Sequence, residues 1–301
     1  MPTANEGSDR SDAAGRVTVH SEDEYRRYRT MTNEEKQEFL RREYEQRDAA
    51  DPYATSRDYN ARELEIAAIR AALGAPGRLL DLGCGNGYTL LVLGEAMPGW
   101  DLLGIDFSPN LIAGANQLLT QRRGTLQSVP RFLEADALAH LAQSADASVD
   151  YVLTERFIQN MPNEAVQIDV LRQIRRILRP GGLLLMCEGS DDGFEALNDI
   201  REKMALPRIP STSRENVSAI RFEDDSIERI ATQELGYVLR SKAGFSTFFL
   251  IARVLHPLLV APDPPRFDAR INELARELQM NAPMLPGFGS NVLWVLESPA
   301  R

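Results

Sequence analysis

The chain has 301 residues, with 34 Lys and Arg against 44 Asp and Glu, which gives a formal net charge of −10. This length allows one or two domains with a sizeable apolar core. The acidic balance argues against a protein that binds nucleic acid non-specifically or that docks on anionic membranes. The two cysteines and three histidines show no zinc-type spacing, so the sequence predicts neither a disulfide framework nor a metal site.

The N-terminal region is polar and highly charged. Residues 1–24 contain almost no large apolar side chain and are predicted to form a disordered arm. Residues 25–76 are predicted to form a helical cap, because Thr32 followed by Glu35 is a capping-box pattern and Asp58–Leu73 has helical apolar spacing. No apolar run approaches the ~18 residues of a membrane span. The N-terminus also lacks the apolar core of a secretory signal, so a cytoplasmic protein is expected.

Short apolar runs then alternate with stretches of helical period. The predicted strands are Arg78–Leu82, Leu102–Ile105, Arg131–Glu134, Val149–Leu153 and Leu183–Cys187. Strands that alternate with helices in this way predict βαβ units and a parallel sheet. We therefore assign residues 77–247 to an α/β core.

Two apolar helices are predicted near the C-terminus, before a last strand. Phe248–Val260 is strongly apolar, and Phe267–Met280 is amphipathic. We interpret residues 248–290 as a helical insertion that forms a lid on the same side as the cap. Residues 291–301 would then hold the last strand of the core.

A glycine-rich turn follows the first predicted strand. The segment Leu79–Gly87 reads LLDLGCGNG, and its glycines allow a tight turn and close approach of a ligand. Dinucleotide sites use the order G-x-G-x-x-G, which places a pyrophosphate at a helix N-terminus. Here Asp81 precedes Gly83 by two residues, and an anion would repel a phosphate. The turn therefore favours a cationic nucleoside ligand over a nicotinamide dinucleotide.

Acidic residues also follow the second and third predicted strands. Asp106 lies about 20 residues after the glycine turn, where an acid can bind ribose hydroxyls. Asp136 can accept a hydrogen bond from the exocyclic amine of adenine. Because open α/β sheets bind ligands at the carboxyl ends of their strands, these acids indicate one nucleoside site.

Together these segments resemble the class I S-adenosylmethionine-dependent methyltransferases. The matching segments are LLDLGCGNG, GIDFSP, EADAL, VDYVLTE and RILRPGGLLLMCE. The resemblance implies a Rossmann-like seven-stranded sheet with an antiparallel last strand, and S-adenosyl-L-methionine as cofactor. It also implies that the turn from Asp81 surrounds the methionine part, that Asp106 holds the ribose and that Asp136 and Ala137 hold the adenine. The expected cofactor-binding residues are Asp81, Gly83, Cys84, Gly85, Asp106, Phe107, Asp136, Ala137 and Thr154.

Three residues are candidates for the transfer step. A sulfonium donor is already activated, so the protein must chiefly align the reactants, although a hydroxyl acceptor usually needs a base. Glu155 and Arg156 follow the fourth strand, and His256 lies on the apolar helix. Each also has a structural interpretation: a helix cap for Glu155, a carboxylate partner for Arg156 and a hydrogen-bonded core residue for His256.

The acceptor is less well defined by the sequence. Thr154-Glu155-Arg156-Phe157 stands where methyltransferases of planar amines carry an Asn-Pro-Pro-Tyr type motif. We therefore expect O-methylation of a small metabolite or natural-product intermediate. The alternatives are N-methylation of a small amine and a non-catalytic, cofactor-binding scaffold. The expected partner is a small molecule, with no nucleic acid and no membrane, and a homodimer stays open.

Overall fold

The computed structural model describes residues 22–210, 217–281 and 289–299. Most of the predicted disordered arm, residues 1–21, lies outside the described residues. Residues 22–24, which were also assigned to the arm, instead begin helix α1 (Glu22–Thr30).

The N-terminal cap consists of α1, α2 (Asn33–Glu45) and α3 (Tyr59–Ala72). The predicted capping box is present at the start of α2. The backbone amide of Glu35 donates to Thr32 Oγ1 at 3.2 Å, and the backbone amide of Thr32 donates to Glu35 Oε2 at 2.8 Å. These two bonds satisfy donors that a helix start otherwise leaves unpaired.

The core alternates strands and helices as the sequence predicts. Its elements are β1 (Arg78–Leu82), α4 (Tyr88–Ala96), β2 (Asp101–Asp106), α5 (Pro109–Arg122), β3 (Arg131–Glu134), α6 (Ala137–Gln143), β4 (Val149–Glu155), α7 (Glu164–Ile177) and β5 (Leu178–Gly189). A 3-10 turn over Ile158–Asn160 follows β4. Strand β5 begins earlier than predicted, because Leu178 already pairs with Val149 across a bulge. The Pro-Gly-Gly segment therefore lies within the strand and does not precede it.

The second half of the chain adds helices around two more strands. They are α8 (Asp191–Lys203), α9 (Asp224–Arg229), β6 (Val238–Gly244), α10 (Ser246–Leu250), α11 (His256–Val260), α12 (Arg270–Asn281) and β7 (Asn291–Glu297). Single π-helical turns extend α9 and join α10 to α11. The described part of the segment before β7 thus consists mainly of helices, with a non-helical stretch over residues 261–269.

All seven strands form one sheet, in the order β3-β2-β1-β4-β5-β7-β6. Strands β1 to β5 are parallel, and β7 is antiparallel to both of its neighbours. This topology confirms the predicted Rossmann-like sheet of seven strands. The strand order reverses between β1 and β4, so the loops that follow these strands diverge and leave a crevice at their carboxyl ends.

Apolar layers cover both faces of the sheet. One contains Leu171 and Ile174 of α7 together with Trp294 of β7. The other contains Ile69 of α3 and Leu90 of α4. A third cluster joins Phe248 and other residues of the insertion to α3 and α8. The insertion is therefore anchored on the outer side of α3.

Candidate active site

A cavity of about 270 Å³ opens at the carboxyl ends of the central strands. Ten of the twelve residues predicted for the site line it: Asp81, Gly83, Cys84, Gly85, Asp106, Phe107, Asp136, Ala137, Glu155 and Arg156. Helix α2 covers the cavity with Glu34, Gln37, Glu38, Leu40, Arg41 and Tyr44. The N-terminal cap thus partly covers the crevice at the switch point.

The glycine turn has a backbone that only glycine adopts easily. Gly83 and Gly85 have φ values of 72° and 57°, in the left-handed region. A Cβ on Gly83 would lie 2.4 Å from Cδ2 of Phe157. The backbone amides of Gly83 and Cys84 both donate to the carbonyl of Ile105, at 2.9 and 3.0 Å. The turn is therefore fixed against β2, and its open side faces the cavity.

Asp106 is held at the end of β2 by the backbone. The amide of Gly85 donates to Oδ2 and the amide of Ser108 donates to Oδ1, each at 2.9 Å. Burial raises the pKa of Asp106 to about 6, against the opposing effect of these hydrogen bonds. A carboxylate offers about four acceptor positions, so Asp106 keeps spare capacity for a hydroxyl donor.

Asp81 is the least satisfied carboxylate of the site. It is 2% exposed, and its carboxylate accepts no hydrogen bond from any residue in the described ranges. Burial raises its pKa well above the ordinary range, and the nearby Glu155 and Asp106 carboxylates add to this effect. A cationic ligand beside Asp81 would relieve both effects.

Glu155 is an ionised carboxylate in a polar frame. Thr89 Oγ1 donates to its Oε2 at 2.7 Å, and Arg156 Nη2 donates to its Oε1 at 2.6 Å. Burial favours the neutral acid, but the guanidinium groups of Arg156 and Arg62 outweigh burial and lower the pKa of Glu155. The end of β4 therefore presents a fixed negative charge to the cavity.

Arg156 joins the cavity to helix α3. Its Nη1 donates to Glu65, which is fully buried. Burial opposes the charge on Arg156, yet Glu65 and Glu155 together raise its pKa. Its φ of 53° is left-handed, which is uncommon for a residue with a Cβ. The structure thus shows the carboxylate pairing expected for Arg156 and places the same side chain on the cavity wall.

Arg62 lines the cavity but was not found by sequence reasoning. It lies on α3 and is 3% exposed. Its Nη1 donates only to neutral oxygens, Pro52 O at 3.1 Å and Thr55 Oγ1 at 3.2 Å, and its Nε has no hydrogen-bond partner. No carboxylate among the described residues forms a salt bridge with it. Arg62 is therefore a buried guanidinium with a donor still to be satisfied.

The remaining walls are less polar. Asp136 is the N-cap of α6, where Oδ1 accepts from the amide of Ala139 at 2.8 Å. The Phe107 ring contacts Tyr44 edge-on, with 6.0 Å between centroids, and the Arg41 guanidinium lies 5.6 Å from its centroid. These contacts join the cap to the loop that follows β2.

Comparisons with known proteins agree with this geometry. A sequence model of the methyltransferase domain family matches residues 80–184. The chain is 30% identical to the demethylmenaquinone methyltransferase of Thermus thermophilus over 176 residues, which are 57% of this chain and 76% of that protein. This chain belongs to the class I S-adenosylmethionine-dependent methyltransferases. It is also 28% identical to a ubiquinone/menaquinone biosynthesis C-methyltransferase of Syntrophotalea carbinolica, over 61% of this chain and 75% of the relative.

The fold has a counterpart among solved structures. The PH0226 protein from Pyrococcus horikoshii OT3 superposes with a TM-score of 0.52 at 19% identity, over 82% of this methyltransferase and 93% of that chain. This similarity supports the fold. The enzyme uses S-adenosylmethionine, as its family membership shows.

The cavity fits this cofactor chemically. S-adenosylmethionine carries an ammonium, a carboxylate, a sulfonium and two ribose hydroxyls. Asp81 lacks a donor, Asp106 has spare acceptor positions, and Arg62 has an unpaired donor.

No group of three or more His, Cys, Asp or Glu residues in the described part of the chain could hold a metal. Of the helices described, none is long and apolar enough to cross a membrane.

Two predicted site residues do not reach the cavity. Thr154 is fully buried in β4, beneath the site. His256 lies in α11, where it is 3% exposed and its Nδ1 has no partner. Burial lowers the pKa of His256. Its helix belongs to the insertion, which packs on α3 through α12 and the cluster around Phe248, so the structure does not bring His256 to the acceptor pocket. For the same reason, no described residue of 248–281 lines the cavity, which is covered by α2.

Proposed function

We propose that this methyltransferase transfers a methyl group to a hydroxyl oxygen of a small molecule. The observation that carries the proposal is Glu155, an ionised carboxylate fixed by Thr89 and Arg156 at the end of β4. Such a carboxylate can accept a hydrogen bond from a hydroxyl and orient it for attack.

We assign the cofactor contacts from the same wall residues. Asp81 would hold the ammonium, Arg62 the carboxylate, and the turn through Gly83, Cys84 and Gly85 would pass beside the methionine. Asp106 would hold the ribose, with Phe107 beside it. Asp136 and Ala137 would border the adenine, and Thr154 would support the site from below. When bound, the cofactor supplies an electrophilic methyl group on a positively charged sulfur.

The protein's own part in the reaction is positioning. Glu155 would accept a hydrogen bond from the hydroxyl of the acceptor molecule, and Arg156 would keep Glu155 ionised and in place. Because the pKa of Glu155 is lowered, Glu155 acts mainly by orientation and charge. As the methyl group bonds to the acceptor oxygen and its bond to sulfur breaks to leave a neutral thioether, that oxygen becomes strongly acidic. Its proton would then pass to the Glu155 carboxylate and from there to solvent. Helix α2 would keep water from the cavity during transfer.

A second candidate is methylation at a ring carbon next to a hydroxyl. The names of the Thermus and Syntrophotalea relatives favour it, because both refer to methyltransferases of quinone biosynthesis. Transfer of a ring hydroxyl proton to Glu155 would make the adjacent carbon nucleophilic. After the methyl group bonds to that carbon, the ring C–H proton would be lost to solvent and the oxygen protonated again, so the same carboxylate would serve both reactions.

Product analysis tests the proposal. The purified enzyme is incubated with S-adenosylmethionine bearing a deuterated methyl group and with small hydroxy acids, catechols, hydroquinones and aliphatic amines. Mass spectrometry and NMR then locate the label. Label on oxygen supports the proposal, label on a ring carbon replaces it with the second candidate, and label only on nitrogen overturns both. Glu155→Gln should bind S-adenosylhomocysteine normally but lose most turnover.

A further inference from the structure

Glu65 is a buried charge that does not touch the cavity. It lies on α3, has no exposed surface, and is absent from the cavity wall. Its Oε2 accepts from Arg156 Nη1 and its Oε1 accepts from Asn291 Nδ2. Burial of a carboxylate is costly unless it is paired and hydrogen-bonded. Both oxygens of Glu65 are paired, and one of the partners is a residue of the site.

Through Arg156, Glu65 reaches the segment that follows β4. The Arg156 carbonyl accepts from Asn160 Nδ2 at 2.6 Å, and the ring of the next residue, Phe157, occupies the space that a Cβ on Gly83 would need. The left-handed backbone at Arg156 thus directs Phe157 onto the glycine turn. The side chain that anchors this backbone is held by Glu65 on one side and by Glu155 on the other.

The two carboxylates share one guanidinium. Arg156 donates one hydrogen bond to each carboxylate, from Nη1 to Glu65 and from Nη2 to Glu155, so the guanidinium is held between them. Without the charge on Glu65, the guanidinium would have Glu155 as its sole anionic partner among the residues described. It could then rotate toward Glu155 and weaken the Thr89 hydrogen bond that fixes the other oxygen of Glu155.

We propose that Glu65 is a positioning residue for methyl transfer, which acts through Arg156 to hold Glu155 and the exit of β4 in place. The inference rests on the proposed function, in which Glu155 and Arg156 serve the transfer step. Glu65 links three elements in doing so, because α3 carries it, β4 leads to Arg156 and β7 begins with Asn291.

The test uses Glu65→Gln, whose amide can still accept from Asn291 but turns an N–H toward the Arg156 guanidinium. We expect kcat to fall about 10- to 100-fold, the scale of a small misalignment at a reacting centre. The Kd for S-adenosylhomocysteine should stay within about threefold, since Glu65 does not line the cavity. Glu65→Asp restores the charge on a shorter side chain and should recover part of kcat.

A double variant tests the route of the effect. If Glu65 acts through Arg156, Glu65→Gln should cause no further loss in an Arg156→Gln background. The matched control is Asp58→Asn, which breaks the half-buried ion pair between Arg253 and Asp58, the N-cap residue of α3, away from the cavity. This control should lower the unfolding temperature and leave kcat near wild type.

The outcomes separate the inference from the proposed function. If Arg156→Gln loses turnover while Glu65→Gln keeps it, the inference is wrong and the function stands. If Glu155→Gln and Arg156→Gln both keep turnover, the proposed function is wrong. A lower unfolding temperature with normal kcat in Glu65→Gln would also overturn the inference, because it describes a purely structural residue. Should that variant not fold, a kcat of wild-type size in Glu65→Asp overturns it, and a reduced kcat with unchanged Kd supports it.

Discussion

The carboxylates of the site fall into two groups at the scale of single residues. Glu155 has guanidinium partners, which lower its pKa. Asp81 and Asp106 have none within salt-bridge distance among the described residues, and burial raises the pKa of each. The charge of Glu155 is therefore already balanced by partners within the protein. Asp81 and Asp106 are instead suited to a ligand that carries cationic or hydroxyl groups.

Asp106→Asn should weaken S-adenosylhomocysteine binding by about 1–3 kcal/mol, because an amide is a poorer acceptor than a carboxylate for a hydroxyl donor. Isothermal titration calorimetry measures the change. Asp101→Asn is the matched control, since Asp101 lies at the other end of β2 in an exposed ion pair with Arg78. Equal affinity in the Asp106 variant and the wild type would refute the ribose assignment.

Arg62→Gln should weaken S-adenosylhomocysteine by about 1.5–3 kcal/mol, the cost of losing a charge-assisted hydrogen bond. It should leave 5′-methylthioadenosine unaffected, because that nucleoside lacks the amino-acid part. Competition binding of both compounds separates loss of a specific contact from general damage to the pocket. A similar loss for both would mean that Arg62 does not contact the carboxylate.

At the scale of elements, helix α2 of the cap makes few buried contacts with the core, although it covers the cavity. Helix α2 contains no buried residue. Its polar contacts with the core include Lys36 Nζ to Pro162 O at 3.2 Å and Ser108 Oγ to Glu45 Oε1 at 2.6 Å. Elements with few buried contacts open at low free-energy cost, so we expect the cap to open for exchange of cofactor and product.

Gly114→Ala tests the attachment of the cap. A Cβ at this position of α5 would lie 2.3 Å from the carbonyl oxygen of Ala49, in the segment that joins α2 to α3. We expect at least a tenfold higher KM for S-adenosylmethionine with folding retained, since alanine suits a helix better than glycine. Gly124→Ala is the control, because nothing lies within 4 Å of its Cβ. If Gly114→Ala and Gly124→Ala have the same KM, contact between the cap and α5 is not needed for cofactor binding.

The elements were more predictable from sequence than the site. Strands β1 and β3 have the predicted bounds, because short apolar runs that alternate with helices give a strong local pattern. Arg62 and Glu65 were missed because charged residues on a helix usually face solvent. Their helix has an apolar stripe elsewhere, and Glu65 finds its partners 91 and 226 residues away. No local pattern contains that information. The available signal was Glu65 itself, a charged residue flanked by the apolar residues Leu64 and Ile66.

For the whole molecule, buried acids couple folding to pH. Burial raises the pKa of Asp106 to about 6 and that of Glu188 to about 7, and it also raises the pKa of Asp81. A carboxyl whose pKa is higher in the folded state binds protons more tightly there. The contribution of these groups is thus largest at low pH and is lost as the pH rises through about 6 to 7.

The ligand-free enzyme should therefore gain stability between pH 8 and pH 6. Denaturant unfolding at a series of pH values measures this, with Asp106→Asn expected to flatten the slope near pH 6. With S-adenosylhomocysteine bound, Asp106 should stay ionised and the gain should shrink. If the free enzyme instead loses stability steadily from pH 8 to pH 6, these carboxyl groups do not have raised pKa values in the folded state.

The position of β7 has a consequence for synthesis of the protein. Strand β7 lies between β5 and β6, and β6 pairs with no other described strand. During translation, β6 and the helices around it must wait without a sheet partner until residues 291–297 have left the ribosome. Pairings of such large sequence separation form slowly. We therefore expect the sheet to be completed late in folding, when β7 pairs with β5 and β6 and Asn291 forms its hydrogen bond with Glu65.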